Sequence, residues 1–143
     1  MKILVTVLAV ASLATPVLAE TWHPFSRSQN NAFMADVDSI VVNGAITSIR
    51  VATASRRGEA GDFSHSVETY EFECGANRWR TAGVVEYGAD GAEAETFPEP
   101  DGAWETARDN TMPMFLKQIA CDGIRAQPPH WPTVKAFIEA GRQ

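Results

Sequence analysis

Cysteine, histidine and basic residues are scarce in this sequence, and each shortage excludes a class of function. The 143 residues include two cysteines and three histidines. His23, His65 and His130 have no close spacing with a cysteine, whereas a structural zinc site requires four neighbouring ligands. Lysine and arginine together number 12 against 18 acidic residues, which gives a formal net charge of −6. We therefore expect no metal or other cofactor, and no nucleic acid as a partner, because nucleic acids bind basic surfaces.

Only the N-terminus carries a long apolar run, and this run has the pattern of a signal peptide. Lys2 supplies a positive charge, Ile3–Leu13 is apolar, and Pro16 interrupts the segment. A membrane-spanning helix requires roughly 20 apolar residues, so this segment is too short to be an anchor. The pattern predicts a signal peptide over residues 1–19, cleaved near Ala19, and a mature protein that is periplasmic or secreted.

The two cysteines, Cys74 and Cys121, are expected to form one disulfide bond. Exported proteins fold under oxidising conditions, in which paired cysteines serve as structural crosslinks. A catalytic thiol would need a neighbouring base and a reducing compartment, and the sequence indicates neither. The chain-entropy model assigns such a crosslink a stabilisation of at most about 4 kcal/mol.

Alternating apolar and polar residues predict two β-hairpins and a fifth, short strand. Residues 32–42 and 45–54 flank Asn43-Gly44, a strong signal for a tight hairpin turn. The second hairpin joins residues 66–74 and 78–88 through the turn at Gly75–Asn77, and the fifth strand fits residues 93–97.

Charged side chains are expected to pair across the second hairpin. Glu71 and Glu73 share one face of the first strand, and Arg78 and Arg80 share one face of the second. Each exposed cross-strand pair contributes a few tenths of a kcal/mol.

Two segments are expected to be irregular because they lack a hydrophobic period. Glu20–Asn31 is polar and mixed, so we expect a loose backbone from which Trp22 and Phe25 dock on the core. Ser55–His65 combines glycines with charged residues, which predicts a long exposed connection.

The last part of the chain changes to a helical period. Apolar residues at i, i+3, i+4 and i+7 from Met112 predict a helix that ends at Asp122-Gly123, and Thr133–Gly141 predicts a second, shorter helix. Strands followed by helices indicate an α+β fold: an antiparallel sheet of about five to six strands, with one or two C-terminal helices packed on one face and one disulfide. We expect a single domain over residues 20–143, with a core at 33–121 and a helical extension at 122–143.

Several short motifs, taken in their order, resemble the surface-adhesin protein E family of exported bacterial proteins. They are "DVDSIVVNGAITSIRV", "ETYEFECGANRWR", "VEYGADGAEAE", the tryptophan at Trp104 and a late helix ending in "IAC". The resemblance covers roughly Phe33 to Cys121 and depends on the order and spacing of the motifs.

The resemblance implies a small antiparallel sheet carrying a helix, and a cysteine pair that Cys74 and Cys121 match. It also implies binding to extracellular-matrix or serum proteins, and the ability to form a homodimer. This chain has no cysteine directly after Ala19 for lipid attachment, and it adds the segment Asp122–Gln143. No binding residue of the family is assigned to a position here.

The sequence contains no convincing catalytic constellation. Asp36 and Asp38 lie on one side of a predicted strand, where charged residues normally form a solvated face. His65 stands beside serines, but no Gly-x-Ser-x-Gly turn is present and sequence adjacency is not triad geometry. We expect no enzyme activity.

Surface residues remain as candidates for contact with a partner. Arg56 and Arg57 stand in the long connection, and Trp104 is a candidate aromatic anchor, because interfaces are enriched in tryptophan and arginine. The predicted function is therefore an exported, non-enzymatic binding module that contacts an extracellular or envelope protein. The alternative is a periplasmic domain that binds a small ligand or metal in an apolar gap between helix and sheet.

Overall fold

The fold consists of seven strands followed by two helices. The computed structural model describes residues 19–143, so the predicted signal peptide lies outside the described residues except for Ala19. Within this part, neither helix has the length and hydropathy that a membrane crossing requires. The elements are β1 (Trp22–Arg27), β2 (Asn31–Asn43), β3 (Ile46–Ser55), β4 (His65–Glu73), a 3-10 turn (Cys74–Ala76), β5 (Arg78–Tyr87), β6 (Glu93–Pro98), β7 (Glu105–Thr106), α1 (Met112–Asp122) and α2 (Val134–Glu139).

The strands form one antiparallel meander in which sequence neighbours pair in space. The order is β1-β2-β3-β4-β5-β6, and β7 pairs with the remaining part of β5 beside β6. The two predicted hairpins are β2–β3, with Asn43 opposite Ile46, and β4–β5, with Glu73 opposite Arg78. The predicted fold class, an antiparallel sheet with a C-terminal helix and a disulfide, is confirmed.

The segment before the first hairpin is a strand, so the expectation of a loose backbone there was wrong. β1 pairs with β2 from Trp22, opposite Asp36, to Arg27, opposite Ala32. On its other side the backbone of Trp22 exchanges hydrogen bonds of 2.8 and 2.9 Å with that of Trp131. These partners are distant in sequence, and the register shifts between Pro24 and Ser26, so no local period reveals the strand.

The sheet is covered on both faces. Alternate residues of β2 and β3 contribute to two separate cores, because successive side chains of a strand point to opposite sides. α1 covers one face with Leu116 and Ile119, where Ala35, Ile49, Val51, Tyr70 and Phe72 are buried. α2 covers the other face with Val134, Phe137 and Ile138, where Trp22, Ala32, Met34, Ala52, Ala54 and Val67 are buried.

The placement of α2 corrects the expectation that both helices share a face. Trp131 forms a bridge with Trp22 at the outer edge of β1, and α2 begins three residues later. The chain thus passes the edge of the sheet before α2 packs, which brings the second helix to the face opposite α1.

The disulfide joins the end of β4 to the last turn of α1. Cys74 and Cys121 are bonded, with their Cα atoms 5.8 Å apart and 47 positions apart in sequence. α1 ends as predicted, because Gly123 adopts the left-handed conformation with φ of 72°. The bond therefore fixes the C-terminal end of α1 against the strand whose Phe72 is fully buried beneath it.

Removal of the disulfide should destabilise the protein without unfolding it at room temperature. We expect Cys74→Ser combined with Cys121→Ser to lower the free energy of unfolding by about 2–4 kcal/mol, because the unfolded chain loses a covalent loop. Urea denaturation of the oxidised protein, the reduced protein and the double variant measures this difference. Equal midpoints for oxidised and reduced protein would contradict it.

A stacked histidine pair holds the approach to α2 against β1. The rings of His23 and His130 lie 3.5 Å apart between centroids and within 10° of parallel. His23 is 5% exposed and its Nδ1 has no hydrogen-bond partner. Burial lowers the pKa of His23, the charges of His130 and Arg125 lower it further, and Asp38 and Asp36 oppose them. The folded protein therefore favours the neutral form of His23.

This preference makes stability fall as the solution becomes acidic. Below the ordinary histidine pKa of 6.5, the unfolded chain takes up a proton at His23 that the folded chain resists, so folding loses free energy as pH falls. We expect His23→Gln to show a smaller drop in thermal midpoint between about pH 7.5 and about pH 5.5. Half-buried His65, whose pKa is also lowered by burial, leaves part of the pH dependence of the thermal midpoint in the variant. Identical slopes in the variant and the wild type would argue against this role of His23.

Candidate functional site

Trp104 lies across two arginines of β5. β7 directly follows Trp104, and it pairs with the start of β5 so that Thr106 is opposite Arg78 and Glu105 opposite Trp79. This pairing brings the indole over the strand. The guanidinium carbon of Arg80 lies 4.7 Å from the ring centroid, and that of Arg78 lies 5.6 Å away. Trp104 remains half-buried, so one part of the indole is accessible to a partner.

Both arginines are held in place by carboxylates of β4. Glu71 lies opposite Arg80 and Glu73 opposite Arg78 in the hairpin, as predicted. Arg80 Nε donates to Glu71 at 2.7 Å, and Arg78 Nη2 donates to Glu73 at 2.6 Å. Ion pairs that remain accessible to solvent add little stability, but these two fix the guanidinium planes beside the indole. We call these five residues the Trp104 surface.

The Trp104 surface lies on the same side of the sheet as α2. Glu71 and Glu73 alternate with Phe72, which belongs to the core under α1, so they point to the opposite side. α2 packs on the side chains of Ala52, Ala54 and Val67, near the other ends of β3 and β4. The segment before β7 therefore occupies a part of this face that α2 leaves free.

The other two predicted candidates, Arg56 and Arg57, separate in the structure. Arg56 Nη1 donates to the carbonyl of Ser28 at 2.9 Å, and its backbone N donates to Asn30 at 2.7 Å. Arg56 lines a cleft of about 260 Å³ together with Arg27 and Arg142. We call this the arginine cleft. Arg57 is exposed and does not line it.

Arg142 also belongs to the candidate site, although no sequence motif indicated it. It is 6% exposed, and its guanidinium donates to the carbonyls of Ser55, Glu59 and Asp62. Gly58 permits this approach, since a Cβ there would lie 2.7 Å from the guanidinium. The hydrogen-bond partners of Arg142 are backbone carbonyls some 80 positions away, so no side-chain motif in the sequence indicates them.

The predicted long connection is thus organised by the C-terminal end of the chain. It stays exposed over most of Ser55–Gly61, as expected, but its carbonyls converge on one buried guanidinium. This arrangement also positions Arg56 beside Arg142 in the arginine cleft.

Most polar groups that line the gap between α2 and the sheet form hydrogen bonds with neighbouring groups of the protein. A cleft of about 270 Å³ there is lined by Trp22, Arg50 and His65, among others. Glu20 accepts from both Arg50 and the indole nitrogen of Trp22. His65 Nδ1 lies 2.7 Å from the carbonyl of Phe63, to which it donates, and its ring stacks on Tyr87 at 4.3 Å. The cleft therefore presents mainly internally paired groups.

The two aspartates of β2 do not share a solvated face as predicted. Asp36 is fully buried and forms an ion pair with Arg50. Asp38 is exposed and accepts from the hydroxyl of Thr21 at 2.6 Å. The difference arises because β1 pairs beside β2 as far as Asp36, which lies opposite buried Trp22, whereas Asp38 lies beyond this pairing. Across residues 19–143, no three or more His, Cys, Asp or Glu side chains converge in a way that suits a metal ion.

The model of one protein family, described as surface-adhesin protein E, matches residues 22–122, which is well over half of the chain. The chain belongs to the surface-adhesin protein E family. The match begins at β1 and ends with α1, so it includes both cysteines, the Trp104 surface and Arg56. α2 and Arg142 follow the matched region. No curated protein and no solved structure matches the chain significantly.

Family membership confirms the resemblance inferred from the short motifs. It supports an adhesin-like role, and together with the disulfide it supports export. The matched region starts earlier than the resemblance at Phe33, because β1 carries no motif but is part of the sheet.

Loss of the Arg142 guanidinium should loosen the connection between β3 and β4. We expect Arg142→Gln to increase amide hydrogen exchange at Asp62, Phe63 and Ser64, because three carbonyls lose a charged donor. The local cost is about 1–3 kcal/mol. Mass-resolved hydrogen exchange measures it, with Arg57→Gln as a control of equal charge. Unchanged protection in Arg142→Gln would show that the guanidinium does not organise this segment.

Proposed function

We propose that this protein is an exported, non-enzymatic binding module that contacts a partner protein through the Trp104 surface. The observation that carries the proposal is the half-exposed indole of Trp104 held across Arg78 and Arg80. The partner is an extracellular or envelope protein, and the module acts in the periplasm or outside the cell after cleavage near Ala19.

The composition of the Trp104 surface suits a protein interface. Tryptophan and arginine are the residues most enriched at positions that dominate binding energy. Their geometry is set before binding, because Glu71 and Glu73 hold the arginines and β7 holds the loop that carries Trp104. A preformed surface loses little side-chain entropy on association. Membership of the adhesin family supports the same role.

A second copy of the chain is the alternative partner for the same surface. The family resemblance implies homodimer formation, and a two-fold dimer would place one Trp104 surface against a matching patch. Sedimentation of the mature protein over a range of concentrations distinguishes this case from a foreign partner.

Truncation of Trp104 should remove most of the binding energy. We expect Trp104→Ala to weaken binding to a captured partner by roughly 30-fold or more, as for a residue that dominates an interface. The matched control is Phe97→Ala, which truncates another exposed aromatic residue, 47% exposed, opposite Val84 on β5. Arg80→Lys keeps the charge but loses the planar group beneath the indole, and we expect an intermediate loss.

The measurement is surface plasmon resonance of the immobilised mature protein against a panel of purified envelope, matrix and serum proteins. Binding that falls in Trp104→Ala and persists in Phe97→Ala supports the proposal. Equal losses in both variants, or no binding to any protein of the panel, would overturn it.

A further inference from the structure

Within the described residues, several arginines form no ion pair with a carboxylate, although the protein is acidic overall. Ion pairs hold Arg50, Arg78 and Arg80. No ion pair within residues 19–143 involves Arg27 or Arg142. In a chain with 18 acidic and 12 basic residues, carboxylates are the more abundant partners. The absence of ion pairs at these arginines therefore calls for a physical reason.

Three of the arginines without an ion pair meet in the arginine cleft. Arg57, Arg108 and Arg125 also lack an ion pair within residues 19–143 but lie outside the cleft. Arg27 comes from the end of β1, Arg56 from the start of the connection after β3, and Arg142 from the segment after α2. Half-buried Pro24 and Phe25 give the cleft accessible apolar surface, whereas Ala32 and Phe137, which also line it, are buried; Ser26 and Gln143 complete the lining. The cleft therefore combines positive charge with apolar surface in about 260 Å³.

The guanidinium of Arg142 is held in place but forms no ion pair within residues 19–143; the carboxylate of Asp62, whose pKa it helps to lower, is close enough only for a longer-range attraction. The three hydrogen bonds of the guanidinium go to carbonyl oxygens, which carry only partial negative charge. A buried charge without a counter-ion is costly in a protein interior. Arg56 is likewise oriented by a carbonyl, that of Ser28. A carboxylate that enters the cleft would bring a negative charge close to both guanidinium groups.

We propose that the arginine cleft binds an acidic peptide segment of a partner protein. A carboxylate of the peptide pairs with Arg27 and Arg56, and a neighbouring apolar side chain packs against Pro24 and Phe25. The apolar surface of Pro24 and Phe25 and the small volume favour a peptide over a sulfated polysaccharide, which presents repeated charges and needs a long basic stripe. The inference rests on the proposed function only in that the partner is a protein; the site is different from the Trp104 surface.

The test uses the mature protein and a fluorescent peptide of alternating glutamate and leucine, with binding measured by anisotropy. A second peptide in which glutamine replaces glutamate tests the need for charge, and heparin tests the polysaccharide. Arg56→Gln removes one guanidinium of the cleft. Arg57→Gln is the matched control, since it makes the same change at the next position but outside the cleft. Thermal unfolding confirms that both variants are folded.

The proposal expects binding of the glutamate peptide alone, about tenfold weaker in Arg56→Gln and unchanged in Arg57→Gln. Equal weakening in both variants would indicate general charge attraction and overturn the proposal. Binding of heparin but not of the peptide, or binding of neither, would also overturn it. Trp104→Ala is expected to leave peptide binding unchanged, so failure of the cleft and failure of the proposed function are distinguishable.

Discussion

Burial of β2 and β3 on both faces is the constraint on which the rest of the structure depends. Met34 and Ala52 are buried towards α2, whereas Ala35 and Ile49 are buried towards α1. An antiparallel sheet of this kind cannot leave either side to water, because each side carries a continuous apolar patch. A helix is therefore required on each face, and the chain must pass an edge of the sheet between the two helices. The disulfide fixes the first helix, and contacts with β1 fix the approach to the second.

The two surfaces that we propose as binding sites both arise where a late segment returns to the sheet. β7 returns to β5 and brings Trp104 over Arg78 and Arg80. The residues after α2 return to the connection between β3 and β4 and bring Arg142 beside Arg56. Because each returning segment is anchored by backbone hydrogen bonds or a buried guanidinium, the surfaces are rigid without being part of a strand interior. Rigid placement of aromatic and arginine side chains is what protein recognition requires.

The region matched by the family model ends before the structural domain does. The matched region ends at the last residue of α1, yet the face opposite α1 is covered by α2, which follows it. In this protein the segment after the matched region thus completes the second core and contributes one wall of the arginine cleft. This chain therefore uses its C-terminal segment both for stability and for a surface feature that the matched region does not contain.

The sequence alone determined the elements whose causes are local. Period-two alternation identified both hairpins, and the parity of Glu71 and Glu73 predicted their pairing with Arg80 and Arg78. Helical spacing and Gly123 defined α1, and the exported context predicted the bond between the cysteines. In each case the relevant residues lie on one element or on two joined by a short turn.

Only the tertiary structure decided the features whose partners are distant. Both faces of the sheet are apolar, and the apolar stripe of a helix can pack on either of them. The sequence therefore could not decide which face α2 covers. β1 is recognised through its pairing with β2 and Trp131, and the burial of Asp36 follows from that strand. Arg142 binds backbone carbonyls, which every residue possesses and no pattern distinguishes. The sequence specifies which residues share a side of an element, whereas the packing of elements decides what lies opposite them.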